Sequence, residues 1–284
     1  MKIILSRKGF DTSSGGVPSP IFPDGRMLSL PIPDKYSTIR YEDIKWNEFN
    51  VGEIVSSLTK NKIPKSHFAH LDPDLRNESL KRHDNWKPVL GQTSSSQGHL
   101  RNQNIQPGDI FIFFGLFRDV IIKNSEINFK EKTLSKHIIW GWLQIEDILT
   151  VDNCNKNDFT WALNHPHFNR PIDALNTIYT AKDKLDISDS SIKTIPGSGV
   201  FNKYSRTLQL SKENSRQSSV WSLPHWFYPL NSKTPLSYHS KISRWSHNNS
   251  EVILESVSRG QEFVLDCDIY PESKKWIIDL MKCS

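Results

Sequence analysis

Two long apolar runs dominate the pattern of hydrophobic and polar positions along this chain. Ile110 to Phe117 is almost unbroken by polar residues, and Ile138 to Ile145 repeats that pattern after a polar interval. Apolar runs of this length that follow a turn, here Gly108-Asp109, are typical of strands buried on both faces. We therefore predict that the two runs form the central strands of a sheet.

Shorter segments predict the remaining strands. Compact apolar stretches between turn residues indicate strands at Lys2 to Ser6, Thr177 to Ala181, Arg206 to Leu210, Val252 to Leu254 and Glu262 to Asp266. A hairpin-like element is predicted at Ile21 to Pro33, with Asp24-Gly25 as its turn.

Helices are predicted at four places. Val51 to Lys60 carries its apolar residues at one-sided helical spacing, and shorter helices are predicted at Ser94 to Asn102 and Asp158 to Leu163. Glu272 to Lys282 follows Pro271, a helix-start signal, and collects its apolar residues on one side. This last pattern indicates an amphipathic closing helix.

Together these elements predict an α+β fold. Its core is a mixed β-sheet or a partly open barrel, with flanking helices, long loops and a C-terminal amphipathic helix. Because no composition shift divides the chain, residues 1–284 are predicted to form a single domain. The polar segment Asp183 to Lys193 is the predicted mobile loop.

Composition narrows the class of protein. The 284 residues include nine Trp, fourteen Phe and seven Tyr, enough aromatic volume to close a core without disulfides. The net charge of +5 comes from interspersed charges, so it permits nucleic-acid binding without requiring it.

Cysteine usage and apolar run lengths indicate the compartment. Cys154, Cys267 and Cys283 form no CxxC pair, which argues against a disulfide framework and a Cys-rich zinc site. The first apolar run has only three residues, and no run reaches membrane-spanning length. We expect a cytoplasmic protein with no membrane partner.

A series of short motifs, taken in order, resembles a known family. The motifs are Leu5 to Asp11, Pro18-Ser-Pro, Leu28 to Pro33, His70-Leu-Asp-Pro-Asp, Gln97 to Leu100, Pro107 to Gly115 and Gly260 to Val264. This set resembles the nucleotide modification associated domain family, third type, over most of the chain. The resemblance implies a role in DNA-base modification or phage defence in bacteria and their viruses, with a nucleotide or nucleic acid as partner, DNA rather than RNA.

The loop after the first strand is the first candidate site. Arg7 and Lys8 are suited to holding a phosphate, and the Ser13 and Ser14 hydroxyls with the nearby glycines allow close approach to a substrate. Lys8 and Asp11 are alternatively an acid/base or nucleophile pair. The competing interpretation is a structural loop whose Asp and Ser groups bind their own backbone. No GxxxxGK[ST] motif is present.

The segment His70-Leu-Asp-Pro-Asp is the second candidate site. If the backbone is extended, Asp72 and Asp74 converge on one divalent cation, the candidate cofactor, and His70 assists catalysis. Asp72 is also a candidate catalytic carboxylate. The alternative is a helix start with Asp72 as N-cap and Pro73 at the first helical position.

Three further groups complete the candidates. His99 and Asn102 are suited to reading a base edge, and Gln261 with Glu262 to base binding or acid/base work. His165 and His167 ligate a metal only if a third ligand arrives from elsewhere in the chain.

Aromatic residues raise a different class of function. Trp142 and Trp226 are candidates for stacking on a base, although the core is the commoner place for such residues. The segments Gly108 to Gly115 and His137 to Ile145 are similar to paired strands of small PUA and EVE barrels, which bind RNA or modified bases.

Two main hypotheses follow. The first is an enzyme acting on DNA bases or modified nucleotides by group transfer or glycosidic hydrolysis, with Asp11, Asp72 or Glu262 as catalytic carboxylate. The second is a non-catalytic reader of modified DNA or RNA with an aromatic pocket; a structural component of a larger complex is a third. Convergence of the three carboxylates in one cleft favours the enzyme, and an aromatic cage favours the reader.

Overall fold

The computed structural model describes residues 1–124, 126–187, 194–231, 233–258 and 260–282. Its strands are β1 (Lys2–Arg7), β2 (Ser19–Ile21), β3 (Ile32–Pro33), β4 (Lys45–Trp46), β5 (Phe49–Asn50), β6 (Ala69–His70), β7 (Val89–Gln92), β8 (Ile110–Lys123), β9 (Glu126–Phe129), β10 (Lys136–Thr150), β11 (Thr177–Ala181), β12 (Ser198–Val200), β13 (Val220–Leu223), β14 (Trp245–His247), β15 (Val252–Glu255) and β16 (Glu262–Asp266). The α-helices are α1 (Val51–Leu58), α2 (Ser94–Asn102) and α3 (Glu272–Met281). Of these helices, none has both the length and the apolar character needed to cross a bilayer.

A mixed sheet forms the centre of the molecule. Its strand order is β16-β1-β8-β10-β11-β7, with β2, β9 and β12 attached at the side. β1 runs parallel to β8, whereas β1 and β16, and β8 and β10, are antiparallel. The described strands follow an open path and close no barrel, so the predicted α+β fold with a mixed sheet and a C-terminal helix is confirmed.

The two apolar runs are the long central strands β8 and β10. Every residue of β8 from Ile110 to Phe117 is buried, as the unbroken apolar pattern predicted. Phe114 packs edge-on against Trp221 and faces Phe263, so one aromatic cluster joins β8 to β13 and β16. Burial of each such ring contributes about 1.5–3 kcal/mol, which makes this cluster a main anchor of the fold.

Three predicted elements differ from the structure. Arg206 to Leu210 was predicted to be a strand, but Arg206–Leu208 is a 3-10 helix; Leu208 and Leu210 are both buried, so the apolar alternation is met by a turn instead. The predicted helix at Asp158 to Leu163 is a 3-10 helix, Lys156–Ala162, interrupted at Phe159.

The predicted hairpin at Ile21 to Pro33 is only partly formed. Its Asp24-Gly25 turn is present, closed by a bridge between Ile21 and Met27. β3, however, pairs with β6 rather than with the first arm of the hairpin, because the chain continues past Met27 toward the core. Of the predicted mobile loop, residues 188–193 lie outside the described residues, as does Cys283.

The sheet brings distant parts of the chain to one place. In the pairing of β1 with β16, Ser6 lies opposite Glu262. Lys8 directly follows β1, and Thr93, at the end of β7, is the N-cap of α2. Segments from near the beginning and near the end of the sequence therefore meet beside the start of α2.

Candidate functional site

A cavity of about 310 Å³ lies where β1 and β7 end and α2 begins. Its walls include these residues that the sequence singled out: Arg7, Lys8, Asp11, Ser13, Ser14, His70, Asp72 and Gln261. His167, Arg170 and the first turn of α2 complete them. Groups from the beginning, the first third and the far end of the chain thus share one hollow.

Asp72 lies at the centre of this cavity and is fully buried within a set of cationic and polar partners. Its Oδ1 accepts a 2.6 Å hydrogen bond from the Gly91 backbone N–H and lies 3.3 Å from His165 Nε2. Its Oδ2 lies 3.5 Å from Lys8 Nζ and 3.6 Å from His70 Nε2. Burial alone would raise the pKa of Asp72, but Lys8 and the two histidines outweigh it and hold that pKa well below its usual range. Asp72 is therefore ionised at neutral pH.

The helix start predicted at Asp72 is wrong. No helix begins at Pro73, and the next helical turn, Asn77–Ser79, is a 3-10 helix. The carboxylate binds the neighbouring strand instead, because Gly91 of β7 offers its N–H at short range.

His70 lies between two carboxylates. Its Nδ1 is 2.6 Å from Asp34 Oδ2, and its Nε2 faces Asp72. Burial lowers the pKa of His70, but Asp34 and Asp72 raise it by more, so the net shift is upward. The ring orientation is thereby fixed from both sides.

His167 reaches the same place from the 3-10 helix Pro166–Asn169. Its Nδ1 is 2.6 Å from Asn176 Oδ1, and Asn176 Nδ2 donates back to the His167 carbonyl at 2.8 Å. Burial lowers the pKa of His167 to about 3, so the ring is neutral at physiological pH. Gly91 allows this approach, because a Cβ there would lie 2.2 Å from the imidazole.

Glu262 lies under the cavity floor rather than on its wall. Its Oε1 accepts hydrogen bonds from Ser6 Oγ, at 3.0 Å, and from Gln92 Nε2, while its buried Oε2 has no hydrogen-bond partner. Burial raises the pKa of Glu262 to about 7, although Lys8 opposes that shift. A buried carboxyl thus exchanges its proton near neutral pH beside the Asp72 cluster.

Replacing Glu262 with glutamine should change how stability depends on pH. With a folded-state pKa of about 7 against 4.5 unfolded, the wild type loses roughly 3 kcal/mol of unfolding free energy as pH rises from 4.5 to above 7. Glu262→Gln removes that loss because an amide does not ionise. Urea denaturation in EDTA at pH 4.5 and pH 8 checks this, and an unchanged difference between variant and wild type at the two pH values would contradict it.

Side chains of the loop from Arg7 to Ser14 stabilise the backbone around them and also line the cavity. Asp11 Oδ1 accepts hydrogen bonds from the backbone N–H groups of Ser13 and Ser14, as the structural-loop interpretation predicted. The Arg7 guanidinium donates to the carbonyls of Ser258 and Val257. Arg7 and Asp11 therefore line the cavity wall and also stabilise the loops that form it.

Five predicted residues lie elsewhere. Asp74 accepts two hydrogen bonds from Arg82, at 2.6 and 2.7 Å, and is directed away from the cavity. His99 contacts Ser237 and Tyr238, and Asn102 is exposed at the end of α2. Trp142 and Trp226 are the other two.

Trp142 and Trp226 both pack against other aromatic side chains, and Trp142 also lines a separate cavity of about 810 Å³ with Trp46. Trp142 is buried against Phe201 and donates to the Pro196 carbonyl at 3.0 Å. Trp226 stacks on Phe227 and touches Trp276 of α3. Neither tryptophan is on the wall of the cavity around Asp72.

Several residues of the site were missed from the sequence. They are Asp34, Gln92, Arg170 and Asn176. Asp34 contacts His70, which lies 36 positions away, and Asn176 contacts His167. No local sequence pattern predicts either pair. The sequence signal for His167 was the His-Pro-His segment, for which no further ligand could be named. The structure places His70 and Asp72 beside His167.

The start of α2 borders the cavity with backbone N–H groups. Thr93 Oγ1 donates to Asp173, which also accepts from Ser94 Oγ at 3.5 Å. Ser95 and Ser96 follow in the first turn, where helix N–H groups have no intrahelical acceptor. Asp173 also accepts from the Ser94 backbone N–H, so an anion on this side would contact Arg170 and the N–H groups of Ser95 and Ser96.

Comparison with known proteins gives one match. A family model described as nucleotide modification associated domain 3 matches residues 2–266. Searches of curated proteins and of solved structures found no match. The matched range includes every residue of the site described above.

Proposed function

Because this chain belongs to the nucleotide modification associated domain 3 family, we propose that it is an enzyme that modifies a DNA base or nucleotide bound in the cavity around Asp72. The reaction classes are group transfer and glycosidic hydrolysis. The family supports a role in nucleotide or DNA modification, and the arrangement of ionisable groups supports catalysis.

The observation that carries this proposal is geometric. Lys8, His70, Asp72 and His167 meet around one cavity, and Glu262 is buried beside them and hydrogen-bonded to the cavity residue Gln92. The pKa shifts of these groups support it. Asp72 is held ionised, His167 is held neutral, and the pKa of Glu262 is raised to about 7. Buried charges weaken a fold unless they are paired, so their concentration at a cavity needs a reason besides stability. Neighbouring groups with pKa values pushed apart are typical of acid/base sites.

Roles follow from which atoms reach the cavity. Asp72 and His70 contact bound substrate at the floor, and Lys8 donates or accepts a proton there. Arg170 and the first turn of α2 bind a substrate phosphate. Glu262 is a positioning residue, because it acts through Ser6, Gln92 and the field at Lys8.

The reader hypothesis receives less support. It required an aromatic cage near Trp142 or Trp226, and both side chains pack against other aromatic residues away from this cavity. The enzyme hypothesis required Asp11, Asp72 and Glu262 to converge in one cleft. Asp11 and Asp72 line this cavity, whereas Glu262 is buried behind its wall and interacts electrostatically with Asp72.

The biological setting is also part of the proposal. We infer a cytoplasmic enzyme of a bacterial or phage DNA-modification or defence system, with DNA or its nucleotide precursors preferred over RNA. Cys154 and Cys267 are free thiols, in keeping with a reducing compartment.

The test is product analysis by mass spectrometry. The protein is incubated with deoxynucleotides, plain DNA and DNA with modified bases, each with EDTA or with added Mn²⁺ or Zn²⁺, and the nucleosides are then analysed. We expect an altered base or a released base in at least one condition. Lys8→Met should reduce that product about 100-fold, the range for loss of one proton-transfer group. Lys132→Met, a matched control at an exposed lysine outside the cavity wall, should leave it within a few-fold.

Two results would contradict the proposal. Unchanged nucleosides in every condition, together with tight DNA binding, would favour the reader. Product formed equally by wild type and Lys8→Met would place the chemistry outside this cavity.

A further inference from the structure

We propose that His70, Asp72 and His167 bind a divalent transition-metal ion at the cavity floor. One ligand atom from each of the three residues lies within 4.8 Å of the other two, and all three residues are buried. Four bonds of roughly 2.1 Å in a tetrahedron place ligand atoms about 3.4 Å apart. His70 Nε2 and Asp72 Oδ2 are already 3.6 Å apart, and the ligand atom of His167 has to move in from no more than 4.8 Å.

Both imidazoles are held in place through Nδ1. His70 Nδ1 contacts the Asp34 carboxylate, and His167 Nδ1 contacts the Asn176 side-chain oxygen, each at 2.6 Å. A metal-binding histidine usually donates its far N–H to such an oxygen, which fixes the tautomer and directs the other nitrogen at the metal. Both histidines here have this arrangement, and both leave Nε2 directed at the cavity floor.

The two carboxylate oxygens of Asp72 have different partners. Its Oδ1 is occupied by the Gly91 N–H, which leaves Oδ2 as the ligand atom. Lys8 Nζ lies 3.5 Å from that same oxygen. Metal binding therefore requires the Lys8 ammonium to move away from Oδ2, toward Glu262 or a bound substrate.

The ligand set indicates the class of metal. Two imidazoles and one carboxylate suit Zn²⁺, Fe²⁺ or Mn²⁺, whereas Mg²⁺ and Ca²⁺ prefer oxygen ligands. Three protein ligands also leave coordination positions free, as catalytic metal sites do. The pair predicted from the sequence, Asp72 with Asp74, is not the ligand pair, because the Asp74 carboxylate is bound by Arg82.

This inference deepens the proposed function, on which the catalytic meaning of the metal rests, but metal binding itself is testable alone. A bound ion would supply a Lewis acid for a phosphoryl, carbonyl or water oxygen in the cavity. Asp72 would then act as a ligand, with Lys8 left to handle protons.

The experiment is calorimetric titration of the EDTA-stripped 284-residue chain with Zn²⁺ and Mn²⁺, and with Fe²⁺ without oxygen. We expect one ion per chain and much weaker binding of Mg²⁺. Co²⁺ should give the visible absorption of a site with nitrogen ligands. His70→Ala and His167→Ala should each weaken binding at least 100-fold, and His225→Ala, an exposed histidine outside the cavity wall, should not change it.

A milder variant protects the test against loss of folding. Asn176→Ala removes only the support of His167 and should weaken binding about 10- to 100-fold. No binding of any of these ions at millimolar concentration would overturn the site, as would binding that the three substitutions leave unchanged. Metal binding without turnover would uphold the site and overturn the proposed enzyme, whereas turnover in EDTA would uphold the enzyme and overturn a catalytic part for the metal.

Discussion

Asp72→Asn should lower turnover about 10³-fold or more while the protein stays folded. Asparagine keeps the size of the side chain and an oxygen that can accept the 2.6 Å hydrogen bond from Gly91. It removes the negative charge that Lys8, His70 and His165 share. The cluster then loses both its ionised carboxylate and a metal ligand.

The measurement is a rate of product formation together with thermal unfolding of the same samples. Asp84→Asn is the matched control, because Asp84 is an exposed aspartate. We expect the control to retain wild-type turnover. Turnover of Asp72→Asn within ten-fold of wild type would show that the ionised carboxylate has no catalytic part.

Gly91→Ala should lower metal affinity and turnover about 100-fold without altering any ligand. A Cβ at Gly91 would lie 2.2 Å from His167 Cδ2 and 2.5 Å from its Nε2. The backbone cannot retreat, because Gly91 pairs with Ile178 in the sheet and donates to Asp72. The imidazole must therefore leave its place, at an overpacking cost of about 1–3 kcal/mol.

Gly98→Ala is the matched control for this substitution. Gly98 lies inside α2, and a Cβ there would meet only Leu175, at 3.9 Å. Alanine is a better helix former than glycine, so this variant should gain about 0.5–1 kcal/mol of stability and keep its metal affinity. Calorimetry and urea denaturation of both variants check the pair. If Gly91→Ala binds metal as tightly as Gly98→Ala, His167 is not a ligand.

The fold was largely predictable because its strongest signals are local. The unbroken run at Ile110 to Phe117 specified β8, and the bounds of α2 and β16 were predicted as the structure has them. The strand predicted at Arg206 to Leu210 was wrong because apolar alternation specifies which side chains are buried, not whether the backbone is extended. The same positions can be buried from a 3-10 turn.

The site was predictable only in part. Lys8, His70 and Asp72 stood out because polar groups clustered beside Gly and Pro, and the structure brings them together. Their roles stay predictions. His167 and Asn176 could not be placed beside His70, because about a hundred residues separate the two histidines and no local pattern encodes that contact.

The pairing of the first strand with the last has a consequence for synthesis. Ser6 and Glu262 are hydrogen-bonded across β1 and β16 and lie 256 positions apart in the sequence. A ribosome-bound chain therefore lacks part of the proposed site until β16 has emerged and docked beside β1. If that site is catalytic, activity would begin only after β16 is in place, and a proteolytic cut that releases β16 would end it.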